Sequence, residues 1–234
     1  MLFKILNPHI FTKISKKIRP FLISGFLLFF LAGLYFSLII SPEDYQQGEM
    51  VRIMYIHVPS AWLSLMIFML MGISSTACLI WKARFGLYIS LGAAPIGACF
   101  SFVTLVTGMI WGKPIWGTWW VWDARLTSML ILFIFYLVYI GVSSGSDNIY
   151  RIEKPCCVIA ILGSINVPIV KFSVDLWFSL HQGASVLKSG GPSLDLSMLT
   201  PLIIMFIANF LFFVLLLSLR IETLLNRNYV VRSN

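Results

Sequence analysis

The sequence predicts an all-α integral membrane protein with six transmembrane helices, both termini cytoplasmic and its functional loops on the outer, periplasmic face. Three observations lead there. Of 234 residues, 59% are apolar and only 11% are charged, with a mean hydropathy of +0.91. So few charges cannot cover the surface of a soluble domain. Six apolar runs of spanning length follow one another, and Lys and Arg are shared unevenly between the loops that separate them.

The runs are read in order as spans at about 21–40, 58–81, 87–110, 126–142, 156–172 and 198–219, all within one membrane domain, 1–234. About 20 residues cross the hydrocarbon core at a helical rise of ~1.5 Å each. Leu126–Val142 sits at the lower limit, and the fifth run is short unless Lys171 snorkels to the interface. The basic start (Lys13, Lys16, Lys17, Arg19) would suit a signal peptide, but the apolar stretch that follows is too long for one. No small-residue cleavage site appears in SPEDYQQ either, so the first run is read as a helix.

With six spans, both termini share a side. That side, with the 82–86 and 143–155 loops, carries twelve Lys and Arg; the opposite loops carry five, namely Arg52, Lys113, Arg125, Lys171 and Lys188. The richer side is cytoplasmic by the positive-inside rule. Topology thus accounts for the net charge of +8. Nucleic-acid binding would need a basic soluble face, and the sequence offers none. Cys78, Cys99, Cys156 and Cys157 form no CxxC or CxxCH pattern and fall in no outer loop, so they read as small buried apolar residues.

Everything unusual lies on the outer side. The outer loops are 41–57, 111–125 and 173–197. In the third, Phe172, Leu176, Trp177, Leu180, Ala184 and Leu187 recur near helical spacing and predict a helix lying on the surface, ended by Gly190, Gly191 and Pro192. The second reads WGKPIWGTWWVWDAR and holds five of the eight tryptophans. One or two tryptophans anchor a helix end at the headgroups, which accounts for Trp62, Trp81 and Trp177 but not for Trp111, Trp116, Trp119, Trp120 and Trp122 together. Gly112, Pro114 and Gly117 predict a break in the helix there. If 116–123 turned helically, Trp116, Trp119, Trp120 and Asp123 would share a face. Such an aromatic shelf ending in a carboxylate suits a large, flat, hydrophobic ligand.

Two of three histidines join it. Pro59 suits a first helical position, which places His57 at the mouth of the second span, and His181 lies in LHQGAS of the third loop. Either alone reads as an interfacial polar residue. Together, beside the tryptophans, they suit axial ligation of haem iron, with Arg125, Lys113 or Arg52 meeting a propionate. Zinc would need about four compact ligands, and Asp123, Asp175 and Glu49 are poorly spaced to supply them. A membrane cytochrome b buries histidine pairs inside its spans, and a transporter places ionisable groups near the midplane. Neither pattern is present. Asn166 with Pro168 is the one polar kink, read as held by neighbouring helices.

WGKPIWGTWWVWDAR resembles the tryptophan-rich "WWD" signature of the haem-handling proteins of cytochrome c maturation. RIMYIHVPSAW, FSVDLWFSLHQGAS and the six spans are similar to the smaller, haem exporter protein C (CcmC) type of the system I pathway, over essentially the whole chain. The resemblance implies haem b, as transient cargo, on the outer surface. His57 and His181 would be its axial iron ligands, Trp111, Trp116, Trp119, Trp120 and Trp122 the shelf beneath the porphyrin, and Asp123 and Arg125 the close of the motif. It also implies partners: a membrane-anchored haem chaperone that receives the haem, ABC transporter subunits of the same pathway and a small single-span helper. The expected place is the bacterial inner membrane, with a mitochondrial inner membrane as the alternative. The expected role is non-enzymatic haem delivery for c-type cytochrome biogenesis. A transmembrane haem transporter or ABC permease subunit is the rival, and an enzyme attaching haem to the chaperone a third, with Asp123 its one candidate acid or base.

Overall fold

A computed structural model describes residues 8–146, 148–177, 179–181, 183, 186 and 191–233. Among them the chain is helical and forms no strand. The helices are α1 (Pro8–Tyr35, continued by a π-helical turn, Phe36–Ile40), α2 (Met54–Trp81, preceded by a 3-10 turn, Glu49–Ile53), α3 (Phe85–Trp116), α4 (Ala124–Ser143), α5 (Ile149–Leu176) and α6 (Leu196–Ser233). Six segments are long and apolar enough to cross a membrane: Ile10–Ile40, Glu49–Trp81, Phe85–Trp116, Ala124–Ser143, Ile149–Leu176 and Leu196–Arg227. They match the six expected runs.

Every span is longer than its apolar run. The run at 126–142 is extended to 20 residues and the fifth to 28, so neither is short for a bilayer. Proline explains much of the difference. Pro20, Pro59, Pro95, Pro114, Pro155, Pro168 and Pro201 all lie inside helices. In an apolar surrounding an unpaired backbone group has no water to turn to, so the helix continues through a proline that would end it in a soluble protein. The expected break at Gly112 and Pro114 is therefore absent. Only Gly117, with φ of 75°, stops α3, because a residue without Cβ takes the left-handed conformation readily. Residues 117–123 are irregular, so the helical shelf expected over 116–123 does not form.

Two other expectations change. Phe172 and Leu176 are the last turn of α5, and Trp177, Leu180 and Val186 are non-helical. The surface helix is thus not seen among the described residues; Ala184, Leu187 and Gly190 of that expectation lie outside them. Of the cysteines, Cys78, Cys156 and Cys157 are buried, whereas Cys99 is exposed on the apolar flank of α3, and all are free.

α2, α3, α4 and α5 pack in a ring, each against the next and α5 against α2. α6 lies against α2 and α3, and α1 packs chiefly on α6. The ring is filled by Leu63, Phe68, Met71, Leu132, Tyr136 and Tyr139. Tyr136 Oη donates to Ser64 O at 2.6 Å, and Asn166 Nδ2 donates to Ser128 O at 2.8 Å, tying α4 to α2 and α5 to α4. Asn166 thus has the structural role read for it. At the opposite end of the bundle from the 111–122 tryptophans, Arg19 of α1 donates to both carboxylate oxygens of Glu222 of α6, at 2.7 and 2.6 Å. Because successive helices run antiparallel, the starts of α2, α4 and α6 meet the ends of α3 and α5 at one end.

Candidate functional site

That shared end encloses a cavity of about 440 Å³. Its walls come from five helices and three loops: His57 and Trp62 of α2, Thr104, Gly108, Trp111 and Trp116 of α3, Arg125 and Met129 of α4, Lys171 of α5, Leu202 of α6, Gln47 of the loop before α2, Trp120 of the 117–123 loop and His181 of the 177–195 segment.

His57 is deeper than its sequence context suggests. α2 begins at Met54, with the 3-10 turn before it, so His57 is inside the helix, in its first turn and 7% exposed, rather than at the mouth just before it. Its Nδ1 lies 3.0 Å from Thr107 Oγ1. Gly108 permits the contact, since a Cβ there would stand 3.1 Å from His57 Cε1. The ring stands edge-on to Trp111, centroids 5.7 Å apart. Trp111 is fixed in turn, its Nε1 donating to Gln47 Oε1 at 2.8 Å.

His181 comes from the opposite wall. Its ring centroid is 6.3 Å from that of His57, with 31° between the planes, and 6.2 Å from Trp116. Asp123 holds it there indirectly. One carboxylate oxygen accepts from Leu126 N at 2.8 Å and caps α4. The other accepts from the Ser179 hydroxyl, and Ser179 Oγ accepts the backbone N–H of His181 at 3.0 Å. Arg125, the second residue of α4, donates to Ser173 Oγ and Lys171 O, both at 3.3 Å, and so crosses to α5 at the cavity edge.

The structure therefore brings together six of the nine residues singled out: His57, His181, Trp111, Trp116, Trp120 and Arg125. Asp123 stands behind them as a cap and a tie. Trp119 and Trp122 do not line the cavity; they are 55% and 76% exposed and face outward. The other two cations considered for a propionate are engaged elsewhere. Arg52 pairs with Glu49 and donates to Ser37 O at 2.7 Å, and Lys113 Nζ donates to Gly117 O at 2.9 Å. Among the described residues no group of three or more His, Cys, Asp or Glu is placed to hold a metal ion. Sequence reasoning missed Thr104, Thr107, Gly108, Gln47 and Ser179. The first three share helical spacing with Trp111, a signal that was available; the last two act through loop geometry, which spacing does not reveal.

The cavity suits a flat ligand with an apolar body. Indoles and aliphatic side chains make most of its wall, with a few polar groups, as ligand sites generally have. Trp120 Nε1 is buried in that wall and finds no acceptor among the described residues. Two imidazoles bound to one metal at about 2.0–2.1 Å, with ring centres about 1 Å further out, have centroids roughly 6 Å apart. His57 and His181 stand at such a separation.

Known proteins resemble the chain along its length. A family model described as "Heme exporter protein C" matches residues 1–233. A protein of Bradyrhizobium diazoefficiens with that name is 46% identical over 215 residues, 92% of this chain and 81% of the relative. A "putative cytochrome c biosynthesis ccmC-like mitochondrial protein" of Marchantia polymorpha is 46% identical over 209 residues, covering 89% and 88% of the two chains. The "Heme exporter protein C" of Haemophilus influenzae is 41% identical over 198 residues, covering 85% and 80%. With one model matching nearly every residue and such relatives along most of their length, the chain belongs to the heme exporter protein C family.

Proposed function

We propose that this protein binds haem b at its outer face and delivers it to a membrane-anchored haem chaperone for the making of c-type cytochromes. The observation that carries the reading is the pair of imidazoles, His57 and His181, facing each other at 6.3 Å in an indole-lined cavity. Haem is cargo here. The two histidines take the axial positions of its iron. Trp111, Trp116 and Trp120 contact the porphyrin, and the Arg125 guanidinium lies where a propionate would be met. Trp119 and Trp122, outside the cavity and exposed, are the part of the WWD segment offered to the chaperone. No residue is assigned a catalytic role.

Hand-off needs a ligand pair that opens. His57 is fixed in a helix and buried, while His181 is carried by an irregular segment held through Ser179 and Asp123. His181 is therefore the ligand released first. The cavity end is the outer end, with both termini cytoplasmic, and the protein is multi-pass in a bacterial inner membrane. Six apolar helices and relatives named as heme exporter proteins support the multi-pass reading, and the mitochondrial relative leaves a mitochondrial inner membrane as the alternative. ABC transporter subunits and a single-span helper of the same pathway are its partners in the membrane.

The test is the visible spectrum of the protein purified in detergent, beside His57→Ala and His181→Ala. A six-coordinate haem band in the parent that shifts or is lost in each variant is expected. A parent that takes up no haem, or variants with the parent's spectrum, would remove both ligands from the account.

A further inference from the structure

Thr107 stands on α3 one turn before Trp111, and its hydroxyl has a single proton to give. That proton goes to the helix backbone: Thr107 Oγ1 donates to Val103 O at 2.6 Å, with Thr104 O also within reach at 3.3 Å. Toward other groups the oxygen then offers lone pairs only. The same oxygen is 3.0 Å from His57 Nδ1, so in this contact the hydroxyl accepts and the imidazole donates. On that assignment Nδ1 carries the proton. In a neutral imidazole the other nitrogen, Nε2, is then the one with a lone pair to bind a metal.

We propose that Thr107 is a positioning residue that fixes His57 as its Nδ1–H tautomer and thereby presents Nε2 to the haem iron. This rests on the reading of His57 as an axial ligand. The physical logic is general: a ligating imidazole whose second N–H is held by an acceptor keeps one tautomer and one ring orientation, and becomes a stronger donor to the metal. His57 is buried in the first turn of α2, away from the water that would otherwise satisfy Nδ1–H. The Thr104 backbone also reaches the ring, so without the hydroxyl Nδ1–H is left to that backbone acceptor alone or the proton shifts to Nε2, the position that binds iron.

The tautomer is read first in the haem-free protein in detergent, by nitrogen NMR of ¹⁵N-histidine, with the His57 signals assigned from their absence in His57→Ala. The parent and Thr107→Ser are expected to show the Nδ1–H pattern, and Thr107→Val a mixture or the Nε2–H pattern. A parent in the Nε2–H form would overturn the proposal whatever haem does. Haem titration and redox potentiometry follow. Thr107→Val is expected to bind haem roughly 10- to 100-fold more weakly and at a higher midpoint potential, with Thr107→Ser close to the parent. A Val variant equal to the parent in affinity, potential and tautomer would also overturn it. Should Thr107→Val not accumulate, Thr107→Ala carries the same comparison. Haem binding that survives in His57→Ala would instead overturn the haem reading, leaving the tautomer result standing.

Discussion

One carboxylate, Asp123, shows how a single residue serves two ends of the site. It caps α4 through Leu126 N and, through Ser179, fixes the segment that carries His181. Replacing it with Ala is expected to cost about 0.5–2 kcal/mol from the lost cap alone. It should also loosen His181, so haem affinity falls more than thermal stability. Asp123→Asn keeps a side-chain oxygen for the cap and should recover most of the stability, which melting and haem titration in detergent would show. Equal affinity in all three proteins would deny Asp123 any hold on His181. The tryptophans divide at this scale too. Trp111→Ala, Trp116→Ala and Trp120→Ala are expected to weaken haem binding, because those indoles line the cavity. Trp119→Ala and Trp122→Ala should leave binding near the parent value while reducing transfer to the chaperone. Loss of binding in the last two would move the site outward.

Among elements, α3 does the most to shape the cavity, and it does so with small residues where other chains press close. A Cβ at Gly97 would lie 2.3 Å from Tyr136 Oη, a fully buried hydroxyl that donates to Ser64 O on α2. Gly97→Ala should therefore push α4 from α3 and disturb a bond reaching α2, at about 1–3 kcal/mol. Gly141→Ala on α4 meets nothing within 4 Å and serves as the control. It should hold or slightly raise the melting temperature, since Ala forms helix better than Gly. Matching losses in the two variants would mean that the close approach at Gly97 is not what matters. Further along the same helix, the spacing of Thr104, Thr107, Gly108 and Trp111 places His57's hydrogen-bond partners, the gap for its ring and the indole beside it on one face.

For the whole molecule, the alternation of six helices gathers the starts of α2, α4 and α6 with the ends of α3 and α5, so His57, Trp111, Arg125 and Lys171 meet although far apart in sequence. The topology proposed here makes that end periplasmic. Tyr45→Cys, at a position 91% exposed in the loop before α2, should react with a membrane-impermeant maleimide in intact cells. Lys82→Cys, in the turn between α2 and α3, should react only after the cells are opened. Native Cys78, Cys156 and Cys157 are buried and should stay silent. The reverse pattern would invert the protein and put the cavity on the cytoplasmic side.

Six helices were legible in the sequence because span length and apolar composition are imposed by the bilayer, whatever the neighbouring helices do. The tryptophan-rich segment and the two histidines near it were legible for a related reason: such residues are unusual at that density, and their place around the ends of the spans follows from the spans themselves. The ends of the helices were not. Pro59, Pro114 and Gly112 carry the same local signal as in water, but the need to pair the backbone internally overrode it. Nor did the sequence say which tryptophans face inward, since Gly117 ends α3 and the following loop turns Trp120 in and Trp119 and Trp122 out. The sequence by itself determined the class of protein and the kinds of residue at the end that holds the cavity. Tertiary structure decided the 6.3 Å between the two imidazoles, the burial of His57 and the Thr107 hydroxyl beside it. Those depend on helix packing between residues 50 or more positions apart, and no local pattern encodes such distances.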